Sequence, residues 1–368
     1  MHPPEPPPDA ELRAVFGGDA AGRRAVRLEQ LYEPVASATS GIWRVATRGR
    51  SAVLKLVAHA EGDHPQWQSG DDVGHWYYWR REVDAYETGV LAGMPGHLRA
   101  PRCLHVATRA DGSVALWLED LGAATAAAWS LDRYGVAAFH LGTMQGAYLV
   151  DEPLPDRPWL SRGWLRAYLG QRDGDMDLAR DPGSWRDPRV ARWFPTPLAD
   201  DVAAMRADQS SLLDALDALP RTLCHLDLHP ANLFAGGDAA TAAIDWSFVG
   251  IGALGEDAGN LVADAALDFH VPADRVDELD ATITDGYVRG LRAAGWPGPA
   301  DSARLGMVAT MTAKYAWIAP AMVRAALDGR ASLNRRPFAD AAAAWAPTVR
   351  FLLRRADEAR RMLGSSRR

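Results

Sequence analysis

His225-Leu226-Asp227-Leu228-His229-Pro230-Ala231-Asn232, followed by Ile244-Asp245-Trp246, is the stretch on which the reading of this chain turns. It sets ionisable and amide side chains among apolar ones, and three chemistries compete for it. His225, Asp227 and His229 form an HxDxH pattern of zinc-ligand types. Neither Cys nor a second His pair is suitably spaced beside them, and Pro230 breaks any helix that would align His225 with His229. Gly250-Ile251-Gly252-Ala253-Leu254-Gly255 matches the GxGxxG dinucleotide pattern, but no apolar second strand follows to complete a βαβ unit. The third chemistry is phosphoryl transfer. That reaction needs a carboxylate to accept the proton of an attacking hydroxyl, and oxygen ligands for Mg²⁺ on the phosphates. Asp227 fits the base, and Asn232 with Asp245 fit the metal.

The residues upstream favour the third reading. Kinases carry a phosphate-binding Lys on the third strand and pair it with a Glu on the next helix. The pattern predicts a strand within 24–35, then a hairpin of 42–47 and 51–57 around Arg48-Gly49-Arg50. A helix is predicted over 76–91, and a second hairpin, 103–108 with 114–119, around Ala110-Asp111-Gly112-Ser113. Lys55 falls on the third strand, among apolar neighbours. A buried ammonium needs a counter-charge; Glu82 on the helix is the candidate, with Glu87 competing. The small-residue turn 36–41, ending in Ser40 and Gly41, offers backbone amides to phosphates. No GxxxxGK precedes either lysine, which excludes the P-loop NTPases.

Downstream the periodicity is helical. Helices are predicted over 131–149 and 198–219, with a Pro- and aromatic-rich packed insertion between. Short strands at 221–225 and 240–244, around a polar turn at Gly236-Gly237-Asp238, are expected to bring Asp227 and Asp245 to one end of a hairpin. Residues 305–323 form a 19-residue stretch with one charge, Lys314. Spanning a bilayer would place that charge near the centre, at about 2.5–3.5 kcal/mol, so a buried helix is expected and no membrane partner.

At 368 residues the chain is long enough for about two domains or lobes. A net charge of −7 disfavours nucleic acid and tolerates a cationic substrate better. Only two of the 40 basic residues are Lys, Lys55 and Lys314. The opening MHPPEPPPDAE lacks the basic and apolar regions of a signal peptide and reads as a polyproline-rich tail. Together with two isolated cysteines, Cys103 and Cys224, this points to a reducing, cytoplasmic setting.

Over roughly residues 25–345 these features resemble the aminoglycoside phosphotransferase family, relatives of protein kinases and choline kinases. The signatures HGDxxxxN and IDW are matched by His225–Asn232 and Ile244–Trp246. The resemblance implies an α+β, bilobal, protein-kinase-like fold: a small antiparallel N-lobe sheet with one main helix, and a larger, mainly helical C-lobe. The boundaries expected are a flexible tail over 1–22, an N-lobe over 23–120 and a C-lobe over 121–368. The C-lobe would hold the catalytic loop 225–232, the metal segment 244–246 and a substrate-side insertion 150–200.

The resemblance also implies ATP and Mg²⁺ as cofactors. Asp227 would be the catalytic base, Asn232 and Asp245 the metal ligands, and Lys55 with Glu82 the phosphate clamp. Glu119 and Leu121 would lie in the adenine-holding hinge. His225 would be a scaffold of the loop, and Asp257, at a helix start, would tie the loop down. The acceptor would be a small-molecule hydroxyl, as in an aminoglycoside-like antibiotic, amino sugar or other secondary metabolite, serving resistance or biosynthesis. Ser/Thr of a natural-product precursor peptide, with a partner enzyme, is the alternative; a non-catalytic pseudokinase is another. Two positions depart from the family, Leu226 and Ala231, which replace glycines; Trp246-Ser247 stands where protein kinases have Phe-Gly, and a Trp there is usual in this family. Leu226 is expected to narrow the space beside Asp227.

Overall fold

The computed structural model describes residues 7–17, 26–32, 38–59, 68–122, 129–171, 176–236 and 240–366. A short helix α1 (Asp9–Phe16) precedes β1 (Arg27–Tyr32), β2 (Thr39–Thr47) and β3 (Arg50–Val57). Helix α2 (Arg81–Glu87), β4 (Leu98–Arg99), β5 (Cys103–Thr108) and β6 (Val114–Glu119) follow. Five strands make one antiparallel sheet in the order β1-β2-β3-β6-β5. Alternation sets its faces: Trp43, Val45, Ala52, Leu54, Ala115 and Trp117 are buried together. Leu12, Val15 and Phe16 of α1 cover them. Glu11 anchors that helix, accepting from Arg109 Nε at 3.0 Å and from Trp117 Nε1 at 2.9 Å. The expected tail over 1–22 is therefore corrected across Asp9–Phe16, whose apolar face covers one side of the sheet. The sequence signal was masked by the prolines in front of it.

The helix expected over 76–91 shrinks to α2. Trp76 and Tyr77 are drawn instead against Phe248, with ring centroids 6.0 and 5.0 Å away. Packing between the lobes overrides local periodicity there.

The C-lobe begins with α3 (Leu131–Val150). The insertion carries β7 (Ser161–Arg162), α4 (Trp164–Gly170), α5 (Met176–Arg180), α6 (Pro182–Arg186) and α7 (Pro188–Ala191). Its Trp159, Trp164, Trp185 and Phe194 are buried, as a packed insertion requires. The helix expected over 198–219 is split at Asp208 into α8 (Ala199–Ala207) and α9 (Gln209–Ala218). Then come β8 (Arg221–Cys224), β9 (Leu233–Ala235), β10 (Thr241–Ala243) and β11 (Gly250–Ala253). Helices α10 (Glu256–Leu267), α11 (Val276–Ala293), α12 (Ala300–Tyr315), α13 (Ile318–Leu327) and α14 (Phe338–Ser366) complete the lobe. Helix α11 lies against α3 at backbone distance, because a Cβ on Gly290 would stand 2.2 Å from the Phe139 carbonyl oxygen.

Two strand expectations change. β8 pairs with β11, while β10 pairs with β9 and, in parallel, with β4. The hairpin is thus β9–β10; its turn at 237–239 lies outside the described residues. Gly250 of the GxGxxG pattern sits inside β11, where a Cβ would stand 2.2 Å from the Ser161 carbonyl oxygen. Close strand packing accounts for that glycine. The apolar stretch 305–323 runs through α12 into α13, and no helix among the described residues is long and apolar enough to cross a membrane.

Candidate active site

Lys55 projects from the middle of β3 and is buried. Its ammonium donates to Glu82 Oε2 at 2.6 Å and to Asp245 Oδ1 at 2.6 Å. Glu82 is therefore the partner, and Glu87 instead meets Arg80. The second oxygen of Glu82 accepts from the Trp246 backbone N–H at 3.1 Å. One carboxylate thus ties the N-lobe helix to the sheet lysine and to the segment after β10. Burial alone would lower the Lys55 pKa, but Asp245 and Glu82 outweigh it and hold the ammonium charged. Burial pushes Glu82 up, against the pull of Lys55. Asp245 is held below the usual carboxylate range because Lys55 outweighs its own burial.

Asp245 has φ 61° and Leu226 φ 68°, both left-handed. Asp tolerates that conformation better than Leu, for which it costs about 1–2 kcal/mol. The glycine expected at 226 would suit this backbone. Leu226 is offset by burial at 1% exposure. It packs against Gly252 in the core, where a Cβ on that glycine would lie 2.8 Å from Leu226 Cδ2. The expectation that Leu226 narrows the space beside Asp227 is corrected: its methyls turn into the core.

The backbone of the 225–232 loop hangs on Asp257. Its Oδ2 accepts from His225 N at 2.9 Å and its Oδ1 from Leu226 N at 2.8 Å. Burial raises this carboxyl to about 7, opposed by those two N–H groups. His225 accepts at Nδ1 from Asp227 N at 3.3 Å and donates from Nε2 to the Ile244 carbonyl at 2.8 Å. Since a backbone N–H only donates and a carbonyl only accepts, the ring is the neutral Nε2–H tautomer. Burial lowers its pKa in agreement. Both ring nitrogens are thus engaged, and among the described residues no three His, Cys, Asp or Glu gather as a metal cluster.

Asn232 lies in a short 3₁₀ turn, Pro230–Asn232, just before β9. Its Nδ2 donates to the Asp227 carbonyl at 3.2 Å, and its own carbonyl accepts from Ile244 N at 2.9 Å. The β9–β10 hairpin therefore brings Asn232 and Asp245 to one end. Asp227 joins them through the loop, its side chain 30% exposed.

Asp227 faces the helical lobe. Lys314 of α12 places its ammonium 3.7 Å from Asp227 Oδ1 and 3.8 Å from Asp264 Oδ2. The rings of Trp164, Tyr315 and Tyr168 lie 5.1, 5.3 and 6.0 Å from that nitrogen.

Ser40 and Gly41 are placed differently from the expected turn. They belong to β2, where the register slips between Thr39 and Gly41, so Ser40 is an exposed bulge residue. Residues 36–37 of that turn lie outside the described residues. Where the hinge is expected, the Glu119 carboxylate is taken by Arg99 at 2.8 Å and its N–H by the Arg102 carbonyl at 2.9 Å. Leu121 follows in irregular backbone and is half-buried. Sequence reasoning missed Arg81. It is buried on α2 and donates to the carbonyls of Trp159, Trp76, Ser247 and His75 at 2.7–3.1 Å. It also missed Gln145, which donates to Asp257 Oδ2 at 3.0 Å. A basic residue in an aromatic run was the only signal for Arg81.

A five-stranded sheet with a helix glutamate on its third-strand lysine, set over a helical lobe, defines the protein-kinase-like class. Residues 32–300 match the phosphotransferase enzyme family (APH), and the chain belongs to that family. Among solved structures it resembles an amicoumacin kinase in complex with AMP-PNP and Ca²⁺, at 14% identity and TM-score 0.51, covering 95% of this chain and 96% of that one. It likewise resembles a choline kinase from Cryptosporidium parvum Iowa II, at 14% identity and TM-score 0.52, with the same coverage. Comparison with curated proteins gives no match.

Proposed function

We propose that the chain is an ATP- and Mg²⁺-dependent kinase that phosphorylates a hydroxyl of a small molecule. The observation that carries this reading is the Lys55–Glu82–Asp245 cluster, with both ion pairs at 2.6 Å, joined through Trp246 and Ile244 to the loop bearing Asp227. The amicoumacin kinase that it resembles in fold is described in complex with AMP-PNP, which is consistent with it.

In this reading Lys55 holds the phosphates and Glu82 fixes Lys55. The hinge around Glu119 and Leu121 holds adenine through backbone atoms. Asn232 and Asp245 fit a magnesium ion: both offer hard oxygen, and Asn232 already spends its N–H₂ on the Asp227 carbonyl, leaving Oδ1 as the donor. When bound, the ion neutralises charge between the phosphates. Asp227 accepts the proton of the acceptor hydroxyl. That oxygen bonds to the γ-phosphorus as the bond to the β,γ-bridging oxygen breaks and ADP leaves. Positioning by the loop, held by Asp257 and His225, supplies much of the rate. Such an enzyme works where ATP is, in the cytoplasm.

Asp227→Asn tests the assignment. It should lower kcat by about 10²–10⁴ and leave ATP affinity within about twofold, read by coupled ADP release and calorimetry. Turnover at the wild-type rate would remove Asp227 from the base role.

A further inference from the structure

Sequence and net charge suggested that a cationic acceptor is tolerated, but the neighbourhood of Asp227 already contains a cation. Lys314 is buried and lies over three aromatic rings, Trp164, Tyr168 and Tyr315, between the carboxylates of Asp227 and Asp264. Trp164 and Tyr168 form one wall, stacked with centroids 4.9 Å apart and planes at 10°. Aromatic faces with nearby carboxylates are the means by which proteins recognise ammonium ligands. The ammonium is 3.7 and 3.8 Å from the two carboxylates, beyond ordinary hydrogen-bond length for either. It is held by field and ring faces, as a bound cation would be.

We infer that Lys314 is a specificity-determining residue. It fills, with the chain's own ammonium, a cation cage on the acceptor side of Asp227, so the acceptor is an alcohol without a cationic group beside its reacting hydroxyl. This rests on the kinase reading for what Asp227 does. A second ammonium brought next to the hydroxyl would meet Lys314 at close range, whereas a neutral or anionic substituent would not.

The probe is tetramethylammonium, which has no hydroxyl and cannot react. Its binding is read by saturation-transfer NMR of its methyl protons, at ionic strength held constant with NaCl. The wild type should show no saturable binding. Lys314→Ala should empty the cage and gain saturable binding over a concentration range in which the wild type shows none. Lys314→Met should refill the cage with an apolar chain and show no gain. If the alanine variant does not fold, Lys314→Ser, whose short side chain also leaves the cage empty, must move in the same direction. Saturable binding by the wild type, or a folded Lys314→Ala without any gain, overturns the proposal. Mg·ATP binding measured on the same samples separates the two readings. A wild type that binds no ATP overturns the kinase reading and the acceptor assignment with it; one that binds both ATP and tetramethylammonium overturns the cage assignment alone.

Discussion

Lys55 and Lys314 are equally buried, at 4% exposure each, but they are held in different ways. Lys55 touches both of its carboxylates at 2.6 Å and stands on a sheet strand paired on both sides. Lys314 stands off its carboxylates by more than 1 Å further and leans on ring faces at the end of a helix. The first arrangement fixes an atom in space, which a phosphate clamp requires. The second neutralises a charge without fixing direction, and a different cation can replace it. In the proposed kinase reading the difference also separates the two sides of the site: ion-pair contact holds the phosphate side, while backbone donors to Asp257 and aromatic walls hold the acceptor side.

The strongest way to break this contrast is Lys55→Met. It strands Glu82 and Asp245 without a counter-charge, and unpairing a buried ion pair costs about 3–5 kcal/mol. Turnover should fall by about 10²–10³ as the phosphates lose a fixed cation. The stability loss should depend on pH. Burial raises the folded pKa of Glu82 above its unfolded value even beside Lys55. Without Lys55 the folded state takes up a proton that the unfolded state releases. The variant therefore loses stability as pH rises above the unfolded value, and its deficit in urea melts should be smaller at pH 5 than at pH 8. A deficit independent of pH would mean that Glu82 does not carry the unpaired charge.

The phosphate side was the legible half in sequence, and the physical reason is local. A lysine inside an alternating strand must have a partner, so Lys55 points to a carboxylate, and Glu82 is where the structure puts it. The sheet hairpins were legible because turn residues and alternation act over a few positions. What could not be read was held by distant contacts. Helix α1 is secured by Glu11 through Arg109, almost a hundred positions on. Arg81 caps four carbonyls from both lobes, and no periodicity encodes that. The pairing of β8 with β11 rather than with its chain neighbours is also a tertiary choice. Lys314 stood out only by being one of two lysines; two of its rings come from α4, the third from its own helix, and its carboxylates from the loop and α10.

Asp257→Asn probes the acceptor side with the next largest effect. Its carboxylate accepts from His225 N, Leu226 N and Gln145 Nε2 at 2.8–3.0 Å. An amide offers one acceptor oxygen and places N–H₂ against donors, so a loss of about 2–3 kcal/mol is expected. With the wild-type carboxyl raised to about 7 by burial, the folded state holds a proton between pH 4 and 7 that the unfolded state releases. The contribution of this group to stability therefore falls as pH rises through that window. The neutral amide has no such slope, so the Tm gap between wild type and variant should be wider at pH 5 than at pH 8. A constant gap would place the raised pKa elsewhere.

Lys314→Met should have the smallest effect on stability, and its size decides whether the contrast between the lysines is real. The two carboxylates it leaves are not in contact with the ammonium, and the Asp227 side chain is 30% exposed. Water can screen Asp227, and Asp264 can take up a proton because burial already raises its pKa. The methionine keeps the stem and offers sulfur to the same rings. A loss of about 1–2 kcal/mol is expected, well below that of Lys55→Met. Paired urea melts of the two variants give the comparison directly. Equal losses would mean that Lys314 is as tightly bound to its carboxylates as Lys55 is, and a cation locked in that way could not stand in for a ligand's ammonium.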